Sequence, residues 1–509
     1  MRRSLARSIV LSLSIALAPA AMPVAASAQP AQQQERPRPE AETRKLPAEQ
    51  TTRHTLDIGG RPTAFTVTVG AIPLFDGEGG PLIAEIGFVA FRLEGEDARR
   101  RPLSMFLNGG PGAASAFLNI GGLGPWRLPL ETIAPSTLPV AVPNAESWLP
   151  FTDLLFLDPV GAGYSWTNQR GDDARRRFWS VDGDISSLAV AIRKYVEREN
   201  RQASPKILVG ESYGGFRVPK LARALQSDQG VGVRGLVLVS PVLDFGWRFQ
   251  NRHTPLRWMA ELPSMAAAAR SAATPATRDA LQDVEAYAAG EYVADLLRGP
   301  RDAAAVARMA ARVAGFTGLD PALVARLGGR VDSGVFVREK NRADGRIASV
   351  YDALITGYDP TPTAFVGRAE DPVLDAVDAP LTAAMTELYR QWGWRIDRAY
   401  RVLNREVGNS WMWGNRRTAP EAFDDLRQAL ALDPHMRALV VHGATDLVTP
   451  YFENKLILDQ LPALGGAERV RLEVYPGGHM FYFRDDARRA FRADAERLIR
   501  AVSGGEAGR

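Results

Sequence analysis

Cysteine is absent from the 509 residues. No disulfide can staple this fold, and neither a thiol nucleophile nor a thiolate metal ligand is available to its chemistry. Histidine is scarce, with only His54, His253, His435, His442 and His479. No histidine pair or carboxylate cluster has metal-ligand spacing, so neither a metal nor a cofactor is expected. Beyond the N-terminus no window stays apolar for about 18 residues, the length of a membrane span, so no stable membrane insertion is expected. An excess of one charge is missing too. Lys and Arg number 62 against 58 Asp and Glu, and Arg2, Arg3 and Arg7 stand at the very start, which leaves the remainder nearly balanced. The runs DARRRP and DDARRRF carry aspartates beside their arginines and read as solvated faces, not as a nucleic-acid footprint.

What is present begins with MRRSLARSIVLSLSIALAPAAMPVAASAQ. A cationic start, an apolar run from about Ile9 to Ala18 and the small residues Ala26-Ser27-Ala28 form the pattern of a secretory signal, residues 1–28, cleaved after Ala28. It predicts a periplasmic or secreted protein. Residues 29–50 are rich in Pro, Gln and charge, which predicts a flexible leader. Strand patterns follow. TAFTVTVGAI and LIAEIGFVAFRL alternate around the turn-like FDGEGG, as antiparallel strands do. SMFLNGG, DLLFLDPVG, KILVGES, GLVLVSP, ALVVHGATD and RLEVYPGGH are short apolar runs with helical patterns between several of them. They predict parallel strands buried on both faces of an open α/β sheet. From 247 to 430 the strand rhythm stops and Ala- and Arg-rich helical sequence takes over, with helix starts at Thr274-Pro275 and Asp320-Pro321. The expected organisation is a catalytic domain in two parts, 51–246 and 431–509, around a helical cap insertion.

Ser212 lies in Gly210-Glu211-Ser212-Tyr213-Gly214, between the strand KILV and a helix. A G-x-S-x-G pattern in that context is a nucleophile elbow, where the turn is too tight for side chains at the glycines. A serine hydroxyl needs a base, and the base an orienting carboxylate. His479 follows a strand in EVYPGGHMFY, Asp446 follows one in VVHGATDLVTPY, and the order Ser212, Asp446, His479 suits an α/β-hydrolase. His442 reads as a packed strand histidine. Asp158 precedes the serine and reads as a strand-end turn. Trp392, Trp394, Trp411 and Trp413 read as packing of the insertion before pocket lining.

LNGGPGAASAF, LDPVGAGYSW, GESYGG, HGATD and GGHM, in this order, together resemble the serine carboxypeptidase family of the α/β-hydrolase fold. The resemblance implies a mostly parallel central sheet flanked by helices, with Ser212 as nucleophile, His479 as base and Asp446 as its orienter. It implies an oxyanion hole from the Gly110 and Tyr213 amides. Asn108 and Glu211, helped by the Gly109 amide, would bind the free C-terminal carboxylate of a peptide. Glu211 can donate there only when protonated, and one proton shared between two carboxylates in a half-buried pocket is favoured over two negative charges. Three positions depart from the family pattern: Gly122 where a second glutamate supports that network, Phe106 where a tryptophan precedes LNGG, and Ala113 where a disulfide cysteine stands. The expected function is an exported serine carboxypeptidase acting through an acyl-enzyme on Ser212. An esterase, aminopeptidase or acyltransferase on the same fold, or a non-catalytic binding protein, stays open. Side-chain preference and oligomeric state are not written in the sequence.

Overall fold

The computed structural model describes residues 44–504 except 131–133, 250–252, 272–275, 365–368 and 415–417. The expected signal peptide, most of the leader and the Thr274-Pro275 helix start lie outside the described residues. One sheet of ten strands dominates. In chain order these are β1 (Gln50–Asp57), β2 (Pro62–Phe75), β3 (Leu82–Leu93), β4 (Leu103–Leu107), β5 (Asp153–Leu157), β6 (Trp166–Thr167), β7 (Lys206–Glu211), β8 (Gly235–Val239), β9 (Arg437–Gly443) and β10 (Val470–Tyr475). Across the sheet the order is β1-β2-β3-β5-β4-β7-β8-β9-β10, with β6 paired to β3. The β1, β2, β3 and β5 neighbours pair antiparallel, and from β5 through β10 every pairing is parallel.

Strand alternation supplies both layers of core. Phe106, Ile207, Val209, Val237 and Val239 point to one face, which α7 (Asp485–Ser503) covers with Phe491, Ala495 and Ile499. Leu103, Met105, Leu208, Leu236 and Leu238 point to the other, covered by α1 (Val181–Arg198) and α2 (Tyr213–Asp228). Burial on both faces is why the central strands are apolar runs without a period of two. Ser180 caps α1 by accepting from the Gly183 amide.

The insertion divides. Helices α3 (Leu256–Arg270) and α4 (Ala303–Thr317), the latter capped by Asp302, build a second core together with Ala444, Leu447, Tyr451 and Phe452 from beyond β9. Asp320 caps the short helix that Pro321 opens. Farther on, α5 (Leu374–Gln391) with Trp392 and Trp394 packs into the main core beside Phe91 and Phe156, and α6 (Phe423–Leu432) joins the opposite layer. Residues 247–430 are therefore shared between cores, because the aromatic residues after α5 fill the space over β3 and β5.

Two expectations change. The leader does not run free to residue 50. Arg44 Nε donates to Glu85 Oε1 at 2.7 Å, the Lys45 and Leu46 amides donate to Glu85 Oε2, and Leu46 is buried. The anchor is a carboxylate on β3, invisible to local composition. The run DARRRP is not wholly a solvated face either. Arg101 is buried and donates through Nε to Asp153 Oδ1 at 2.8 Å, while Arg201 Nη1 donates to Asp153 Oδ2 at 2.8 Å. Removing the shared acid leaves two buried guanidinium groups unmatched. Asp153→Ala is expected to cost roughly 3–5 kcal/mol, read as a lower urea midpoint at unchanged slope.

Candidate active site

The carboxyl ends of the parallel strands converge, as ligand-binding edges of such sheets do. β4 leads into Asn108-Gly109-Gly110, β7 into Ser212, β9 into Asp446 and β10 into His479. Ser212 sits at φ 60°, ψ −121° between β7 and α2. That left-handed conformation in a residue with a Cβ is strain held by its surroundings. The turn is tight: a Cβ on Gly214 would lie 2.2 Å from the Leu107 carbonyl oxygen, and one on Gly109 would lie 2.5 Å from the Tyr213 nitrogen. The loop after β4 and the start of α2 are thus in backbone contact. Seven of the eight residues singled out in the sequence line one cavity of about 180 Å³: Asn108, Gly109, Gly110, Glu211, Ser212, Tyr213 and His479.

The eighth, Asp446, stands behind His479. His479 Nδ1 and Asp446 Oδ2 are 2.7 Å apart, and both side chains are buried. Asp446 Oδ1 accepts from the Val448 and Thr449 amides and Oδ2 from the Thr449 hydroxyl. Burial pushes this carboxyl up, but the charge of His479 and those hydrogen bonds outweigh it and hold Asp446 below the usual carboxylate range. The imidazole is fixed from its backbone as well. The His479 amide donates to the Tyr351 carbonyl, its own carbonyl accepts from Ser240 Oγ at 2.8 Å, and the Tyr351 ring meets the imidazole edge-on at 5.4 Å.

Glu211 is fully buried. Tyr482 donates its hydroxyl to Oε1 at 2.6 Å and Asn108 Nδ2 donates to Oε2. Asn108 Oδ1 accepts from the Leu118 amide at 3.0 Å, which orients the amide group toward Glu211. Burial is the largest influence on Glu211. Set against His479 and the two hydrogen bonds, with Asp446 pushing the same way as burial, it raises the carboxyl to about 7.

The competing readings separate clearly. His442 is buried beside Asn454, 3.2 Å from its amide nitrogen, and does not line the cavity. Asp158 accepts from the Ser115 amide and the Tyr400 hydroxyl at a strand end, and burial raises it to about 7. Trp392 and Trp394 lie in the main core. Trp411 and Trp413 pack edge-on against Tyr213, at 5.2 and 5.7 Å. Phe106 stacks on Phe156 at 4.4 Å, a wholly apolar use of its position. Sequence reasoning missed Thr449, Tyr351, Tyr482 and Arg217. Thr449 and Tyr482 each stand three residues after a chosen residue, but Tyr351 and Arg217 carry no spacing signal.

Residues 88–256 match the serine carboxypeptidase family model. The resemblance read from the motifs is borne out over this segment. Two plant relatives from Arabidopsis thaliana are similar in sequence. Serine carboxypeptidase-like 3 is 26% identical over 39% of this chain and 48% of its own length, and serine carboxypeptidase-like 29 is 31% identical over 29% and 31%. The chain thus spans half or less of the curated relatives it matches. A prohormone-processing carboxypeptidase from Saccharomyces cerevisiae superposes with a TM-score of 0.53 at 15% identity, covering 86% of this chain and 91% of that one. The fold is that of the α/β-hydrolases. The matched residues 88–256 include Asn108, Gly109, Gly110, Glu211, Ser212 and Tyr213, whereas Asp446 and His479 fall beyond them and rest on geometry. A methyl at residue 214 would meet backbone, which cannot step aside. Gly214→Ala is expected to lower the melting temperature and to slow labelling of Ser212 by a fluorophosphonate at least about tenfold, measured by intact-protein mass spectrometry.

Proposed function

We propose that the protein is an exported serine carboxypeptidase that removes the last residue of peptides with a free C-terminus. His479 takes the proton of the Ser212 hydroxyl as it attacks the scissile carbonyl, and Asp446 holds the imidazole and stabilises its charged form. The amides of Gly110 and Tyr213 receive the oxyanion. The terminal amino acid leaves with a proton returned by His479, the penultimate residue stays as an ester on Ser212, and water then releases it by the same relay. Asn108, the Gly109 amide and Glu211 bind the substrate's terminal carboxylate, which registers the last peptide bond over the nucleophile. No cofactor is required. Residues 1–28 carry the export signal.

The observation that carries this reading is Glu211. A buried carboxyl raised to about 7 by its surroundings, bonded to Asn108 and opening on the same cavity as Ser212 and His479, suits one partner above all. Protonated, it donates a hydrogen bond to a carboxylate; ionised, it repels one. A plain esterase gains nothing from such a group beside its nucleophile.

The sign follows directly. Below about 7 Glu211 holds its proton and the substrate carboxylate binds; as pH rises through that value the proton is lost and binding weakens. A blocked dipeptide with a free carboxylate, its C-terminal amide and the corresponding ester are compared from about pH 4 to 8, with Ser212→Ala as control. The expected outcome is at least about a tenfold preference in kcat/KM for the free acid at pH 5 that fades toward pH 8, no turnover by Ser212→Ala, and a flattened decline in Glu211→Gln. The amide and ester lack the carboxylate, so their turnover does not depend on its recognition. Equal turnover of free acid and amide would assign the protein to the esterases or aminopeptidases of this fold, transfer to an added alcohol to the acyltransferases, and binding without turnover to a non-catalytic role.

A further inference from the structure

The space that side chains at Gly121 and Gly122 would need is taken by the Tyr482–Phe483 turn and by Arg488. A Cβ on Gly121 would lie 2.7 Å from Phe483 and 3.1 Å from Tyr482 ring atoms, and one on Gly122 would lie 3.1 Å from the Tyr482 carbonyl and 3.2 Å from its ring. Arg488, buried on α7, pins the same turn by donating through Nη1 to the Tyr482 and Phe483 carbonyls. Two glycines and a buried arginine packed round this turn thus aim a single hydroxyl, that of Tyr482, at Glu211 Oε1, 2.6 Å away. Tyr482 is fully buried and does not line the cavity. It can reach a substrate only through Glu211.

We propose that Tyr482 is the positioning residue of the carboxylate-recognising pair, its hydroxyl holding Glu211 Oε1 as an acceptor so that the acid proton rests on Oε2, beside the Asn108 amide. The inference deepens the carboxypeptidase reading and rests on it. Both oxygens accept one hydrogen bond, Oε1 from the Tyr482 hydroxyl and Oε2 from one hydrogen of the Asn108 amide. Tyr482 lies outside the cavity that Asn108 lines, so a proton on Oε2 and the second Asn108 hydrogen are the donors that can be offered together to one incoming carboxylate. A hydroxyl donor also favours the ionised carboxyl, and so limits how far burial raises it. The other titratable groups around Glu211 are His479 and Asp446 from the loops after β10 and β9, and Tyr351 from the insertion. None of them moves when Tyr482 loses its hydroxyl.

Tyr482→Phe keeps the ring that fills the space over the glycines, so the fold is expected to survive, checked by its melting curve. On the free-acid dipeptide at pH 5 the variant should raise KM about three- to tenfold, the worth of one misplaced hydrogen bond, with kcat within about twofold. Its alkaline decline should move to higher pH by about half a unit or more, since the ionised form has lost a donor. The ester, which has no carboxylate to place, should be turned over as by the wild type. Should Tyr482→Phe unfold, Gly122→Ala decides, because its methyl pushes the Tyr482 turn away and should shift KM and the decline in the same directions. A wild type that prefers free acids, paired with a folded variant whose KM and decline stay put, overturns this inference and leaves the carboxypeptidase reading standing. A wild type indifferent to the free carboxylate overturns both.

Discussion

One buried guanidinium joins the pieces on which the site depends. Arg217, near the start of α2, donates through Nε to Asp184 of α1 at 2.6 Å and through Nη1 to the backbone carbonyl of Asn108. Arg217 is fully buried and Asp184 nearly so. Burial pushes the Asp184 carboxyl up while Arg217 opposes it. The arrangement locks the loop after β4 to the helix that starts beside the nucleophile. With the Asn108 carbonyl held inward, the next residues, Gly109 and Gly110, turn toward the cavity. A hydrophobic contact could bring these segments together, but only a directional donor fixes the carbonyl, and with it the plane of the following amide. An unmatched charge left here would be strongly destabilising, so the contact is made whole or the site is lost.

Three acids at the same sheet edge show how packing sorts chemically identical groups. Asp446 meets an imidazole, two amides and a hydroxyl, and the sum holds it ionised. Glu211 meets one amide and one hydroxyl in full burial and is raised to about 7. Asp158, equally buried, is raised to a similar level by burial against one amide and the Tyr400 hydroxyl, yet it faces a strand-end turn and not the cavity. Its Oδ1 ties the Ser115 amide down and Oδ2 meets Tyr400, so its part is to join the loop after β4 to the aromatic cluster after α5. The charge of His479 and the donors aimed at each oxygen, set against burial, decide which acid is held ionised and which can hold a proton.

The sequence carried what is local. Apolar runs gave the central strands, since burial on both faces writes itself as an unbroken run. G-x-S-x-G announced the elbow because a strained turn admits few residue types. Asp446 and His479 were legible from their place after strands. Glu211 was legible through the company of Asn108 and the motif around each. What stayed hidden lies in tertiary contact. Arg217 sits in a helix like any arginine, and only the fold brings the Asn108 carbonyl to it. The leader's dock at Arg44 depends on Glu85, 41 residues on and inside β3. The insertion was legible as helical, but not its division, because the tryptophans after α5 have the same composition whether they cap a cleft or fill a core. Arg101 was misread for the complementary reason: a run of arginines looks solvated until one finds Asp153.

Residues 349–371 grip the carboxyl edge of the sheet through a short series of hydrogen bonds. Asp371, ahead of α5, accepts from the Ser349 hydroxyl and the Val350 amide. From there the chain bonds in sequence to the loops that carry Asp446 and His479. The Val350 carbonyl accepts from the Leu447 amide, the Tyr351 carbonyl from the His479 amide, and Asp352 Oδ1 from the Thr445 hydroxyl at 2.7 Å. A Cβ on Gly478 would lie 2.0 Å from the Tyr351 carbonyl oxygen, so these backbones touch just before the imidazole. His479 and Asp446 follow separate strands, and nothing in a parallel sheet alone fixes the distance between two adjacent loops. The insertion supplies that constraint from above, as Arg217 supplies it for the loop after β4 from behind. Side chains from separate loops keep a fixed geometry only where each loop is held to within fractions of an ångström, and here each loop is tied to an element other than the strand that delivers it.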